Sequence, residues 1–171
     1  MIEIKNFEQF SSEKIVKESD LVRIIGDLKS KGKNIGLCVG NFDLLHPGHM
    51  VHLRAAKNFC DILVVGVTED KFLLNKKGKG RPVYNEILRM YSLSQSINVD
   101  FVFLSKYPTA VEPLSKIKPH IYIKGIDYSA DTREEINKER ETIESLGGRI
   151  LYPETEKLST TEILRYIKFE T

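Results

Sequence analysis

Five short apolar runs recur along the chain, each with the length of a β-strand; they cover residues 35–39, 62–67, 99–104, 120–124 and 149–152. The second and third runs are rich in Val, Ile and Phe and do not alternate regularly between apolar and polar residues. Strands that are apolar on both faces are typical of a parallel sheet that is covered by helices on each side. The pattern therefore predicts a parallel sheet.

The longer segments between these runs have the periodicity of amphipathic helices. In the first of them, Leu21, Ile24, Ile25 and Leu28 recur every three or four positions before a Lys-Gly-Lys stop at 31–33. Further helices are predicted from about residue 47 and over 84–97, 109–116 and 131–146.

Two residue pairs have the spacing of an N-terminal capping box, in which each residue bonds the other's backbone N–H. They are Asp131 with Glu134, and Ser159 with Glu162. Alternating strands and helices with short connections predict the α/β fold class, with right-handed crossovers between parallel strands. Such sheets bind ligands beyond the carboxyl ends of their strands, so the residues that follow each strand are the first candidates for a site.

Length and charge limit the classes of function. The chain has 171 residues, and we predict one domain over 34–171 with a lead-in and helix over 1–33 packed on it. A net charge of +2 predicts binding to neither nucleic acid nor membrane. Neither a transmembrane stretch nor a signal peptide is predicted, and Cys38 and Cys60 lack metal or disulfide spacing. The cytoplasm is the expected location.

Three of the four histidines lie within seven positions after the first predicted strand: His46, His49 and His52. Pro47 suits the first position of a helix, and Gly48 leaves room for a ligand near the backbone. A helix start offers free N–H groups and partial positive charge, to which His46 and His49 add two donors for phosphate oxygens. The alternatives are surface histidines or a zinc site, but no third ligand accompanies the pair. For His52 we expect a surface or supporting role.

The run from Gly40 to His49 (GNFDLLHPGH) resembles the signature of the cytidylyltransferase-like nucleotidyltransferases. That superfamily includes cytidylyltransferases for glycerol 3-phosphate and adenylyltransferases for heptose 1-phosphate. The resemblance implies a Rossmann-like parallel sheet of five strands with helices on both faces, and catalytic histidines at 46 and 49 that contact a triphosphate. It also suggests nucleotide-binding residues in the same turn, namely Gly40, Asn41, Phe42 and Gly48. Asp43 is a candidate metal ligand, with a role at the helix entry or in orienting a histidine as the alternative.

A basic stretch over 75–83 contains four cations and two glycines within seven residues, which predicts a mobile flap that closes over a triphosphate. The alternative is a solvated charged loop. The stretch is similar to a segment of the heptose 1-phosphate enzymes, which implies a catalytic role for Lys77 at the triphosphate. Lys79, Arg81 and Arg89 are candidates for contacts with substrate phosphate, although Arg89 could instead anchor its helix through a carboxylate.

Two later motifs also resemble family sequences. The run KGIDY at 124–128 is similar to the KGxDY of the heptose 1-phosphate enzymes, which commonly have a second glycine in place of Ile126. The run LSTT at 158–161 is similar to a family motif at a helix start, where hydroxyl and N–H groups bind phosphate. The implied nucleotide-binding residues are Lys124, Gly125, Asp127, Ser159, Thr160 and Thr161.

Together these features predict a nucleotidyltransferase. A sugar or polyol phosphate would attack the α-phosphorus of a nucleoside triphosphate and release pyrophosphate, with Mg²⁺ as cofactor on the triphosphate. The segments above favour ATP and a heptose 1-phosphate-like substrate. The alternatives are a cytidylyltransferase for glycerol 3-phosphate or an amino-alcohol phosphate, and a nucleotide-binding sensor without catalysis. A relative of the class I aminoacyl-tRNA synthetases is excluded because the chain has neither room nor charge for tRNA. The family resemblance also suggests a homodimer.

Overall fold

The computed structural model describes residues 6–77, 81–155 and 158–169, with the side chains of 75–77 and 168–169 left out. Its strands are β1 (Ile35–Gly40), β2 (Ile62–Thr68), β3 (Phe101–Ser105), β4 (Ile121–Ile123) and β5 (Arg149–Leu151). Its α-helices are α1 (Glu18–Ser30), α2 (Pro47–Lys57), α3 (Asp70–Lys77), α4 (Glu86–Ser94), α5 (Val111–Ile117), α6 (Glu134–Ser145) and α7 (Thr160–Phe169). Short 3-10 helices cover Glu8–Phe10 and Ile126–Tyr128.

The five strands form one parallel sheet in the order β3-β2-β1-β4-β5. Ile35 of β1 lies opposite Ile62 of β2, and Gly36 of β1 lies opposite Ile121 of β4. From β1 the chain adds β2 and then β3 on one side of β1, and it then crosses over to add β4 and β5 on the other side. The switch point is therefore between β1 and β4, where a crevice opens beyond the strand ends. The predicted fold class is confirmed.

Helices cover both faces of the sheet, as the non-alternating strands require. On one face, α2 and α4 pack on a cluster that includes Leu53, Leu63, Val65 and Leu93. On the other face, α1, α5 and α6 pack on a second cluster; it includes Leu21, Ile25, Val64, Phe103, Leu114 and Ile143. Neighbouring residues of β2 thus belong to opposite clusters, because successive strand side chains point to opposite faces.

The segment before α1 pairs with the outer edge of β3. The N–H of Val16 donates to the carbonyl of Val102 at 2.9 Å, and the N–H of Val102 donates to the carbonyl of Lys14 at 2.8 Å. This short parallel pairing shields an edge that would otherwise expose unpaired backbone groups. Nothing in the apolar pattern predicted it.

Two predictions about helices are wrong. The stretch over 75–83 is not a loop throughout, since its first three residues form the end of α3, a helix that was not predicted. Asp131 and Glu134 form no capping box: α6 begins at Glu134, and the Asp131 carboxylate is held by Arg133. The Asp131 carboxylate, which would have to accept from a backbone N–H in the first turn of the helix, accepts instead from the guanidinium of Arg133.

The second capping box is confirmed. The N–H of Ser159 donates to the Glu162 carboxylate at 3.0 Å, and the N–H of Glu162 donates to the Ser159 hydroxyl at 3.1 Å. This pair fixes the start of α7. Within the part of the chain that the structure describes, none of the helices combines the length and apolar character that a bilayer span demands.

Candidate active site

A cavity of about 320 Å³ opens at the carboxyl ends of β1 and β4, which is the switch point of the sheet. Three chain segments far apart in sequence form its walls: the turn from β1 into α2, the loop after β4, and the start of α7. It brings together thirteen of the predicted site residues, which are Gly40, Asn41, Phe42, Asp43, His46, Gly48, His49, Lys124, Gly125, Asp127, Ser159, Thr160 and Thr161.

The two motif histidines stack on each other at the start of α2. Their ring centroids are 3.8 Å apart with an angle of 34° between the rings. His46 is the residue before the first helical position, and the N–H of His49 donates to its carbonyl at 2.9 Å. This turn holds both imidazoles beside the start of α2, where the partial positive charge of the helix favours an anion. The predicted convergence of the pair is therefore observed.

His46 is largely uncharged near neutral pH, because burial lowers the pKa of its imidazole. Its side chain is mostly buried, and Nδ1 has no hydrogen-bond partner among the described residues. A neutral imidazole with its proton on Nε2 donates a hydrogen bond to a phosphate oxygen, and it does so more strongly as charge develops there.

Phe42 supports His49 from an unusual backbone conformation. Its φ is +47°, in the left-handed region that an aromatic residue rarely adopts. The ring centroids of Phe42 and His49 are 5.3 Å apart at 54°. A Cβ atom at position 40 would lie 3.0 Å from the Phe42 ring, so Gly40 leaves the space that the ring occupies. Strain of this kind is typical of turns that position functional groups.

Gly48 allows the His46 ring and the segment before α7 to approach the helix start. A Cβ atom there would lie 3.0 Å from both Cε1 of His46 and Cβ of Leu158.

Gly48→Ala should therefore displace His46 and lower turnover about tenfold or more, as misplaced reacting groups do. The control is Gly26→Ala, because a Cβ at position 26 meets nothing within 4 Å. Equal turnover in the two variants would contradict this reading of Gly48.

Several residues of the other two cavity walls already have hydrogen-bond or ion-pair partners within the protein. Thr160 is buried, and its hydroxyl lies 3.5 Å from the carbonyl of Leu44. The Ser159 hydroxyl accepts the capping bond described above, whereas Thr161 is exposed. Lys124 is not a free cation, since its ammonium pairs with Glu139 of α6. Gly125 leaves room for Asp127, whose Oδ1 would lie 2.6 Å from a Cβ at position 125.

The two arginine candidates, Arg81 and Arg89, contact the turn after β1 and do not line the cavity. Arg89 is fully buried and lines no part of the cavity. Its guanidinium donates to the carbonyls of Asn41, Tyr84 and Thr68 and to the Asp70 carboxylate. The alternative of an anchoring role is therefore the one that the structure supports, because none of these contacts leaves the guanidinium open to substrate.

Asp43 joins the β1 turn to the segment before α4, and its candidate role as a metal ligand stays a prediction. It is 2% exposed, and its two oxygens accept hydrogen bonds from the N–H of Val83, at 2.6 Å, and from the guanidinium of Arg81. Both are thus engaged in joining the β1 turn to the segment before α4. Arg81 is engaged in the same pair and does not line the cavity. Among the described residues, no group of three or more His, Cys, Asp or Glu side chains could hold a metal ion.

The two lysine candidates cannot be placed in the site. Lys77 is the last residue of α3, but its side chain lies outside the described part of the structure, as does the whole of Lys79. Their roles stay predictions.

Two further residues at the site were not assigned to it from the sequence. His52 lines the cavity, with Nε2 lying 3.9 Å from the sulfur of Cys38. Its spacing of three residues from His49 was the signal for a shared helix face. Glu139 gave no signal, because it lies in a highly charged helix.

Stability should fall as the pH becomes mildly acidic. Burial lowers the pKa of His46, and it does the same for His52 and, together with Lys29, for His120. The unfolded chain, with histidine pKa values near about 6.5, then binds more protons than the folded chain as the pH falls. Urea midpoints should be level above about pH 7.5 and decline from about pH 7 towards about pH 5.5. A midpoint that rises or stays constant over that interval would contradict the burial of these imidazoles.

A stacked histidine pair at a helix start lies at the switch point of a parallel α/β sheet, an arrangement that suits the phosphates of a nucleotide. Comparison of the sequence with known families agrees. The profile of the family described as cytidylyltransferase-like matches residues 37–166. The chain belongs to the cytidylyltransferase-like family, a family of nucleotidyltransferases, and the predicted resemblance and class of enzyme are confirmed.

Relatives with curated names cover most of this chain. It is 36% identical to the bifunctional protein HldE of Paramagnetospirillum magneticum over 141 residues, which is 82% of this chain and 28% of that protein. It is 40% identical to the bifunctional protein HldE of Acidiphilium cryptum over 126 residues, which is 74% of this chain and 25% of that protein. The chain thus spans roughly a quarter of the length of these two relatives.

Solved structures share the fold. A lipopolysaccharide core biosynthesis protein from Thermoplasma volcanium aligns with a TM-score of 0.60 and 26% identity, over 74% of this chain and 100% of that one. A pantoate-beta-alanine ligase from Francisella tularensis aligns with a TM-score of 0.62 over 92% of this chain and 77% of that one. The second match has 16% identity and bears on the fold alone.

Proposed function

We propose that this chain transfers a nucleotidyl group from a nucleoside triphosphate to a sugar phosphate, with ATP and a heptose 1-phosphate as the substrates. The observation that carries the proposal is the stacked pair of His46 and His49 at the switch-point cavity. The similarity to HldE proteins and to a lipopolysaccharide core biosynthesis protein supports a sugar phosphate as acceptor. The KGIDY run supports the heptose 1-phosphate branch.

The reaction needs no side-chain nucleophile, because the acceptor phosphate is already ionised at neutral pH. One of its oxygens forms a bond to the α-phosphorus, and the bond from that phosphorus to the bridging oxygen of the β-phosphate breaks. Pyrophosphate leaves with the electron pair. The work of the protein is to align the two substrates and to stabilise the charge that develops on the phosphate oxygens.

His46 and His49 supply that stabilisation from one side of the cavity. They donate to oxygens of the α- and β-phosphates, while the start of α7, with Thr160 and Thr161, holds phosphate from the other side. In this proposal Lys77 approaches from the end of α3 and neutralises the leaving pyrophosphate.

Magnesium enters this proposal as part of the substrate. The described residues form no resident cluster of metal ligands, and both oxygens of Asp43 are already hydrogen-bonded. Mg²⁺ prefers to keep several waters and to bind phosphate oxygens directly. We therefore propose the magnesium complex of ATP as the donor substrate.

A pyrophosphate-release screen tests the proposal. It crosses ATP, CTP, GTP and UTP with heptose 1-phosphate and glycerol 3-phosphate, in the presence of Mg²⁺. Release should be fastest with ATP and heptose 1-phosphate, and the product should be the ADP-linked sugar by mass spectrometry. Fastest release with CTP and glycerol 3-phosphate would favour the cytidylyltransferase alternative. Binding of triphosphate without release from any pair would favour the sensor.

A further inference from the structure

A buried charged cluster borders the cavity on the β4 side, and the mechanism above does not use it. Its centre is Glu139 of α6, which is 5% exposed. The Glu139 carboxylate accepts hydrogen bonds from the N–H of Ala110 at 2.9 Å, from the Tyr122 hydroxyl at 3.0 Å and from the ammonium of Lys124. One acid therefore joins the start of α5, strand β4 and the loop that follows β4.

Lys124 is the member of this cluster that contributes to the cavity wall. Its ammonium donates to Glu139 and, at 3.2 Å, to the hydroxyl of Tyr122, and it lies 4.6 Å from the centre of the Tyr128 ring. An ammonium has three N–H donors. Two of them have these protein acceptors, which leaves the third as the donor that a molecule in the cavity would use.

The charge of Glu139 determines which kind of atom Lys124 can bind. A carboxylate in contact with the ammonium cancels most of its field, so an approaching phosphate gains little attraction and meets a like charge behind it. A hydroxyl oxygen or a ring nitrogen requires only a well-oriented donor. Burial and the two tyrosine rings hold the ammonium in one orientation, which favours that second kind of contact.

We infer that Glu139 is a positioning residue, which fixes Lys124 as a charge-compensated donor to an uncharged acceptor atom of the bound nucleoside or sugar. The phosphates are held instead at the starts of α2 and α7. This inference rests on the proposed function, because it places those two substrates in the cavity. It adds a residue that affects the binding of a substrate without touching it.

The variant Glu139→Gln tests the role of the charge. Its single amide oxygen can still accept from the N–H of Ala110, while its NH2 group, now beside the Tyr122 hydroxyl, carries no negative charge to orient Lys124. We expect the KM of one substrate to rise about tenfold, the scale of one lost hydrogen bond, with a smaller change in kcat. The matched control is Glu134→Gln on the same helix, which removes an exposed ion pair with Lys138 and should change neither constant.

Lys124→Met identifies the substrate and the kind of atom. The KM is measured for the triphosphate at saturating acceptor and for the acceptor at saturating triphosphate, so that the nucleoside and the sugar are distinguished. Lys124→Met alone leaves the Glu139 charge unpaired, so the salt dependence is measured in the double variant with Glu139→Gln; because the contact is with an uncharged atom, the rise in KM there should be the same at low and high salt. A rise that shrinks strongly as salt increases would mean that Lys124 binds phosphate, which would overturn the inference.

The double variant tests whether Glu139 acts through Lys124. Glu139→Gln should cause no further rise in KM when Lys124 is already Met. Wild-type KM values in a folded Glu139→Gln variant, or additive effects in the double variant, would overturn the inference. If Glu139→Gln fails to fold, the double variant, which removes both charges of the pair, and its salt dependence decide the question.

These outcomes are separable from failure of the proposed function. If the wild-type chain neither binds magnesium ATP in calorimetry nor releases pyrophosphate in the screen, the proposed function is wrong. If the wild-type chain is active and the KM values do not respond to these variants, only the inference about Glu139 is wrong.

Discussion

Turnover of the His49→Ala variant should fall about 10²–10³-fold, which is the scale for loss of one preorganised donor to a developing charge. The imidazole of His49 stacks on His46 at 3.8 Å and is backed by the Phe42 ring, so its position is fixed before substrate binds. Binding of the ground-state triphosphate should weaken less than turnover, because the donor acts most strongly on transition-state charge. The measurement is the steady-state rate of pyrophosphate release.

The control for this variant is His120→Ala. His120 lies outside the cavity, and its Nδ1 accepts a hydrogen bond from the N–H of Ile35. Its loss should cost some stability and leave turnover close to that of the wild-type chain. Near-normal pyrophosphate release from a folded His49→Ala variant would remove His49 from the catalytic residues.

The free energy of unfolding of Arg89→Met should be lower than that of the wild-type chain by about 3–5 kcal/mol, the range for removal of one partner of a buried ion pair. The substitution keeps much of the buried volume but removes the guanidinium donor from Oδ1 of Asp70 and from the carbonyls of Asn41 and Thr68. The Asp70 carboxylate then keeps the hydrogen bond from the N–H of Glu86, on Oδ2. Buried acceptors that lose their partners account for the size of the effect.

Urea unfolding followed by circular dichroism measures this change. Arg54→Met is the matched control, because Arg54 is exposed on α2; an exposed substitution should alter stability by no more than about 0.5 kcal/mol. A loss below about 1 kcal/mol in Arg89→Met would contradict the anchoring role and reopen a role at the substrate.

The part of the site that the sequence predicted best is local. Strand β1, the turn with Gly40 and Phe42, and the helix start at Pro47 are consecutive, so propensity and motif suffice to place His46 and His49 together. The wall residues after β4 and before α7 required one more step, namely that the carboxyl ends of parallel strands meet at one edge of the sheet.

What the sequence left open depends on tertiary packing. Arg81 in the basic stretch and Arg89 on the helix after it look like phosphate ligands, and only the fold brings Asp43 and Asp70 to them. In the sequence, Glu139 is one of many charged residues of a helix that could be solvated. Only the packing of α6 over β4 brings it to Tyr122 and Lys124. A charged side chain shows its sign in the sequence, but its partner is set by elements distant along the chain.

The central claim is that a triphosphate binds against His46 and His49, and NMR of the histidine side chains tests it most directly. With ¹⁵N-labelled histidine assigned by single substitutions, addition of a non-hydrolysable ATP analogue with Mg²⁺ should shift the ring nitrogens of both residues. Those of His120 should stay unchanged. Saturating analogue that leaves the resonances of His46 and His49 where they were would contradict the account.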